Sequence, residues 1–144
     1  MLSNLTALSP LDGRYAAKVE PLRKHFSEFG LIRNRVRVEV EWLKALAAEP
    51  SLIDISPFSS VTIGELDAVA SDFSEDDAQA VKRIESRTNH DVKAVEYWLV
   101  ERFAGNAEIK ATAGFVHFAC TSEDINNLAH ALMLQGARAD NLLP

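Results

Sequence analysis

Two short segments of the chain share one pattern of polar residues, and each precedes an amphipathic segment. Residues 88–91 read Thr-Asn-His-Asp and residues 121–124 read Thr-Ser-Glu-Asp, and a β-branched residue follows each of them. Threonine at the start of a helix with aspartate three residues later is typical of helix capping, in which side chains satisfy the free N–H groups of the first turn. The pattern predicts that one helix begins after Thr88 and another after Thr121.

The same two positions could also bind an anion. A helix N-terminus presents unpaired N–H donors and a partial positive charge, which together favour phosphate or carboxylate groups. Thr121 and Ser122 would add hydroxyl donors there, and Asn89 would add an amide. His90 would add an imidazole, a group that exchanges protons near neutral pH. Capping explains the threonine and the aspartate but gives no reason for a histidine, so both interpretations stay open.

An Arg-Tyr pair follows a turn near the amino terminus. Asp12-Gly13 is a turn dipeptide, and we expect Gly13 to adopt the positive φ that most residues avoid. Arg14 and Tyr15 come directly after this turn. Together with the two polar segments, this pair favours a small polyanionic ligand over a macromolecule.

Charge and composition exclude several other classes of function. The chain has 144 residues and a formal net charge of −6, from 15 Lys and Arg against 21 Asp and Glu. Duplex nucleic acid and anionic membranes favour a basic protein surface, so neither is expected as a partner. Cys120 is the only cysteine, and no apolar run or signal-peptide pattern is present, so we expect a cytoplasmic protein.

Apolar residues fall at helical spacing through most of the chain, and no segment alternates as a strand would, so the predicted fold is all-α. We expect a helix over about 20–48 with Gly30 as its break, and a loop over 49–60. Capping pairs at Thr62–Glu65 and Ser74–Asp77 predict helices that reach about residues 70 and 85. The helical pattern still continues at residue 144, so we expect the natural chain to be longer.

The remaining polar side chains suggest structural roles. Arg33, Arg35 and Arg37 are expected on a helix face that contacts solvent or another subunit. His117 and Cys120 are three residues apart, but two ligands do not form a zinc site, and we expect Cys120 to pack as a small apolar residue. No glycine-rich phosphate loop is present. The sequence predicts neither a metal nor a cofactor.

Three longer motifs carry a family resemblance. The segments "LSPLDGRY", "TNHDVKAVEYWL" and "FVHFACTSEDINNLAHALML" closely resemble the amino-terminal part of bacterial adenylosuccinate lyases, within the fumarase/aspartase superfamily. The resemblance extends from about Leu8 to the last residue. It implies a small helical first domain at residues 1–110, followed at 111–144 by the beginning of a long central helix bundle that joins four subunits.

The resemblance also assigns substrate contacts to seven residues: Arg14, Tyr15, Asn89, His90, Asp91, Thr121 and Ser122. The first two would contact the nucleotide portion, the next three would form the binding block of the first domain, and the last two would hold the succinyl portion. His90 is expected to assist catalysis only. The family's general acid is a second histidine in a Thr-His-Gly block and its general base is a serine on a mobile loop, and both would lie beyond residue 144.

The implied reaction is a β-elimination in purine biosynthesis, without a cofactor. Fumarate would leave adenylosuccinate to give AMP, and would leave the succinyl carboxamide ribotide SAICAR to give AICAR. Each active site of the homotetrameric family draws on three subunits, so residues 1–144 alone are expected to be inactive. Two alternatives remain. One is another fumarate-releasing lyase of the superfamily, for argininosuccinate, aspartate or malate, against which the Arg14-Tyr15 pair argues. The other is a non-catalytic helical module for oligomerisation.

Overall fold

The computed structural model describes residues 3–143 and confirms the all-α prediction, since these residues contain helices and turns and no β-strand. The α-helices are α1 (Ala16–Val19), α2 (Arg23–Phe26), α3 (Glu28–Ala48), α4 (Ser60–Ser71), α5 (Glu75–Thr88), α6 (Asp91–Arg102), α7 (Ala107–Ala111) and α8 (Ser122–Ala137). Short 3₁₀ segments occupy Glu20–Leu22 and Ala113–Phe115, and a π-helical turn at Arg138–Leu142 follows α8.

Helix α3 is the central element of the fold. It packs against five other helices, namely α2, α4, α5, α6 and α8. Ile32, Val36, Val40 and Leu43 recur at helical spacing along α3, and all four are buried in the main apolar core. Full burial of such a side chain contributes roughly 1.5–3 kcal/mol, so this stripe fixes the helices that pack around α3.

The break before α3 lies at Ser27 and not at Gly30, where the sequence predicts it. Ser27 is the N-cap of α3, and its hydroxyl accepts a hydrogen bond from the Gly30 N–H at 3.2 Å. A Cβ at position 30 would lie 2.4 Å from the His25 carbonyl oxygen. Glycine is therefore required by the close approach of α2 and α3, while the helix continues through it.

The two capping pairs predicted for α4 and α5 have different outcomes. The Thr62–Glu65 prediction is wrong, because α4 begins at Ser60 and its N-cap is Ser59, whose hydroxyl accepts from the Thr62 N–H. Ser74 and Asp77 do form a capping box at the start of α5, as predicted.

The predicted helix start at Thr88 is also wrong. Helix α5 extends to Thr88, three residues further than expected, and Asn89 ends it in the left-handed conformation, with φ 52° and ψ 34°. The Thr88 hydroxyl donates to the Ile84 carbonyl oxygen at 3.3 Å, one turn back in the same helix. Left-handed asparagine is a common helix terminus, and only two residues, Asn89 and His90, separate α5 from α6.

Helix α8 lies along α3, and α6 contacts both helices. The division into a first domain up to residue 110 and a bundle from residue 111 stays a prediction. None of the helices within residues 3–143 is long and apolar enough to cross a membrane.

Candidate active site

His90 caps α6 with its ring. The backbone of His90 is extended, and its Nδ1 accepts a hydrogen bond from the Lys93 N–H at 3.2 Å. An accepting Nδ1 places the proton of the neutral imidazole on Nε2. The side chain is exposed, so the arrangement leaves an N–H donor at the surface while the other ring nitrogen orients the ring.

Asp91, the first residue of α6, is held by two donors. Its Oδ1 accepts from the Val92 N–H at 2.9 Å, and its Oδ2 lies 2.6 Å from the Nη2 of Arg35. Burial opposes ionisation of this carboxyl, but the Val92 N–H and the Arg35 guanidinium outweigh that effect and lower its pKa. Asp91 is therefore an anion whose two oxygens already have partners in the protein.

Thr121 caps α8 in the way that the sequence predicts. The carboxylate of Asp124 accepts from the Thr121 N–H at 2.7 Å and from the Thr121 hydroxyl at 3.0 Å. The Thr121 N–H, followed by the hydroxyl, lowers the pKa of Asp124. Ser122 occupies the first helical position and is half-buried, and its hydroxyl has no hydrogen-bond partner among residues 3–143. That hydroxyl is available to a ligand at the positive end of α8.

Arg35 joins the two helix starts. Its Nη2 donates to Asp91 and its Nε donates to the Asn126 side-chain oxygen at 2.9 Å, one turn after Ser122. The arginine is only 5% exposed, so the prediction that it lies on a solvated or inter-subunit face is wrong. The planar guanidinium offers several donors in a fixed geometry, and it fixes the start of α6 beside the first turns of α8.

Arg14 and Tyr15 lie apart from this junction in the bonding pattern. Gly13 is buried, and a Cβ there would lie 3.0 Å from the Asn4 carbonyl oxygen. The φ of Gly13 is not positive, so the expectation of a left-handed glycine at this turn is wrong. The Arg14 guanidinium lies 4.8 Å from the centre of the Tyr15 ring, a cation–π arrangement. Among residues 3–143, no hydrogen bond or ion pair connects this pair to either helix start.

A buried charged group that the sequence analysis missed lies beside the start of α8. The Nδ1 of His117 is 2.6 Å from the Oε1 of Glu39 and 3.9 Å from the Oε1 of Glu96, whose other oxygen pairs with Lys93 at 2.7 Å. Burial raises the pKa of Glu39, and the His117 imidazole opposes that effect. A signal was present, because Glu39 follows Arg35 by one helical turn and lies among the apolar residues of α3.

Within residues 3–143, no group of three or more His, Cys, Asp or Glu side chains is placed to hold a metal ion. The two helix starts that Arg35 links carry N–H and O–H donors and one imidazole: the His90 ring, the Asn89 amide and the Ser122 hydroxyl. Such a set suits an anionic substrate whose charge increases during reaction, because fixed donors stabilise developing negative charge.

Comparison with known proteins identifies the class. The lyase family matches residues 13–144, which is most of the chain, and the chain therefore belongs to this family. It is similar to the adenylosuccinate lyases of Escherichia coli strain K12, at 57% identity over 143 residues, of Haemophilus influenzae, at 56%, and of Vibrio cholerae, at 54%. These matches confirm the resemblance that the three motifs indicate.

The chain spans about a third of the length of these curated relatives. Each match covers 99% of this chain and 31% of the relative.

Proposed function

We propose that the full-length protein that contains this chain is an adenylosuccinate lyase. It would release fumarate from adenylosuccinate to give AMP and from SAICAR to give AICAR, as a cytoplasmic homotetramer without a cofactor. The names of the relatives and their identity to nearly the whole chain support this assignment. The chain would supply substrate-binding residues, and the principal acid and base would come from the rest of the protein.

The observation that carries the proposal is the junction made by Arg35. Arg35 bonds to Asp91, the residue after His90, and to Asn126, one turn after Ser122, and so links the two helix starts that carry the exposed His90 ring and the free Ser122 hydroxyl. Elimination of fumarate removes a weakly acidic proton beside a carboxylate, so negative charge builds on a group that is already anionic. Donors that are fixed before the reaction stabilise this charge without reorganisation.

The individual roles follow from these positions. Ser122 would bind a carboxylate of the succinyl portion through its free hydroxyl, with Thr121 fixing that position through its bonds to Asp124. Asn89 would add an amide donor. His90 would orient the substrate or assist the general acid through its free Nε2. Asp91 would act mainly by ordering the start of α6, since both of its oxygens are occupied. Arg14 and Tyr15 would contact the nucleotide portion.

An adenylosuccinate cleavage assay on the full-length gene product, following fumarate and AMP, tests the proposal. We expect turnover by the wild type and a loss of about 10²-fold in kcat/KM for Ser122→Ala, the magnitude typical of a lost donor to a developing anion. Ser86→Ala makes the same chemical change on the surface of α5 and should leave kcat/KM unchanged. His90→Gln should alter kcat or KM.

Three outcomes would contradict the proposal. A folded full-length protein without turnover would direct the assay to argininosuccinate and malate, and then to a non-catalytic role. Unchanged kinetics for His90→Gln would remove the role of that residue. Turnover by purified residues 1–144 would show that this chain holds a complete site, against the expectation that it supplies binding residues only.

A further inference from the structure

The turn that leads into α8 has an unfavourable backbone. His117 and Ala119 have φ values of 63° and 60°, in the left-handed region where a Cβ crowds the following carbonyl group. The turn contains one internal hydrogen bond, from the Cys120 N–H to the His117 carbonyl oxygen at 3.2 Å. Strained non-glycine residues persist only where their surroundings hold them, so neighbouring side chains must hold this turn in its conformation.

Two residues of α3 bond to this turn. The Glu39 carboxylate meets the His117 ring at 2.6 Å, and the Trp42 Nε1 donates to the Phe118 carbonyl oxygen at 2.8 Å. These residues are three positions apart on α3 and so share one face. Arg35, one turn earlier on that face, bonds to Asn126 of α8. Helix α3 therefore contacts the segment 117–126 at three points in succession.

Glu39 is an unusual choice for a residue that only packs. It is 1% exposed, and its Oε2 is buried without a hydrogen-bond partner. An unpaired buried carboxylate oxygen is costly, whereas an apolar side chain would fill the same space without that cost. The polar side chains around it are His117 and Glu96, with Lys93 paired to Glu96. The Glu39 carboxylate therefore has one strong contact, and that contact is to the strained turn.

We propose that Glu39 is a positioning residue for the lyase reaction. Its carboxylate holds the His117 ring, and through it the left-handed turn 117–120, so that Thr121 and Ser122 meet the substrate at a fixed place. The inference rests on the proposed function and extends it to a side chain that does not touch the substrate. A displacement of about 1 Å in a site can lower a rate by about 10²-fold, so loss of this contact should be visible in the kinetics.

A double-mutant cycle in the full-length protein distinguishes positioning from general stability. Glu39→Leu removes the contact and Ser122→Ala removes the hydroxyl that the contact is proposed to place. We expect each substitution to lower kcat/KM by about 10²-fold. The kcat/KM of the double variant should be no more than about threefold below that of the less active single variant. Glu39→Gln, which can still accept from the ring, should recover activity to within about fivefold of wild type.

Asn34→Leu supplies the matched control. Asn34 is a buried polar residue of α3 that donates to the Gly30 carbonyl oxygen at 2.8 Å, away from the turn. Any effect of Asn34→Leu on kcat/KM should multiply with the effect of Ser122→Ala, without coupling between the two sites. If the losses in kcat/KM of Glu39→Leu and Ser122→Ala also multiply in the double variant, the inference is wrong. It is also wrong if Glu39→Leu keeps full activity.

Hydrogen exchange measured by mass spectrometry separates this inference from the proposed function. Glu39→Leu should increase exchange in a peptide covering residues 116–122, whereas Asn34→Leu should not, whatever substrate the enzyme uses. Unchanged exchange in that peptide would overturn the inference even if adenylosuccinate is cleaved. Increased exchange in a protein that does not cleave adenylosuccinate would overturn the proposed function and keep the role of Glu39 in holding the turn.

Discussion

The starts of α6 and α8 look alike in sequence and differ in structure. Both read Thr-x-x-Asp, but only Thr121 caps a helix, with Asp124 accepting from its N–H and hydroxyl. Thr88 belongs to the preceding helix, and His90 takes the capping position instead. The difference comes from what precedes each motif, because α5 extends directly into the first and an irregular turn leads into the second.

The position of His90 as N-cap also accounts for a histidine as the third residue of the motif at α6. As an N-cap, its Nδ1 satisfies a backbone N–H and its Nε2 remains available, so one ring both starts the helix and faces solvent. At α8 the same tasks are divided, since Thr121 and Asp124 form the cap and Ser122 is the free group. A shared local pattern can therefore support two different assignments of capping and binding.

The largest expected loss of stability comes from replacing Arg35, which connects the starts of α6 and α8. Arg35→Met leaves Asp91 and Asn126 without their buried partner and should lower the free energy of unfolding by about 2–4 kcal/mol. Asp91 is 47% exposed in its side chain, which keeps the loss below that of a fully buried pair. Urea unfolding measures it, and Arg35→Lys, which keeps the charge but loses the planar fork, should lose less. A change below about 0.5 kcal/mol for Arg35→Met would show that the junction is held by other contacts.

The second prediction concerns the capping difference itself. Asp124→Ala removes the acceptor for two Thr121 donors and should cost about 1 kcal/mol. Thr88→Ala should cost less than about 0.5 kcal/mol, because the Thr88 hydroxyl donates only to carbonyl oxygens, including those of Ile84 in its own helix and His90 just beyond it, and caps no helix N-terminus. Thermal unfolding of the two variants side by side provides the measurement. Equal losses would mean that the two motifs are energetically alike in spite of their different geometry.

The third prediction tests the ring as a cap. His90→Ala should lower the free energy of unfolding by about 0.5–1 kcal/mol, and His90→Asn, whose side-chain oxygen can accept from the Lys93 N–H, should restore most of it. Catalytic activity should not follow stability here, because asparagine cannot replace the free Nε2–H. Recovery of activity in His90→Asn would show that capping is the whole contribution of this residue.

The smallest expected effect is on the pH dependence of stability in the acid range. The Val92 N–H and the Arg35 guanidinium lower the pKa of Asp91 below its ordinary value of 3.8, so at pH values between the folded and unfolded pKa the folded protein binds fewer protons than the unfolded one. Its contribution to stability is complete above that value and is lost as pH falls through the lower folded-state pKa. Unfolding midpoints measured from pH 6 down to pH 2.5 should therefore fall less steeply for Asp91→Asn than for the wild type. Identical slopes would show that the Val92 N–H and the Arg35 guanidinium together do not lower the pKa of this carboxyl on folding.

Local sequence determined the helical segments and some of their ends. The 3.6-residue period of the apolar positions predicts the helical segments, because it needs only neighbours within two turns. The capping boxes at Ser74 and at Thr121 were predictable for the same reason, as their partners are three residues apart. The helix start and the polar residues at 121–122 could therefore be recognised from the sequence.

Tertiary structure decided the rest of the candidate site. Whether Thr88 ends α5 or starts α6 depends on Asn89 adopting a left-handed conformation between two packed helices, which the Thr-x-x-Asp pattern does not specify. Arg35 and Glu39 have the composition of a solvated helix face, yet they are buried because α6, α8 and the turn at His117 supply their partners. Those partners are 56 to 91 residues away along the chain, and only the folded arrangement brings them into contact.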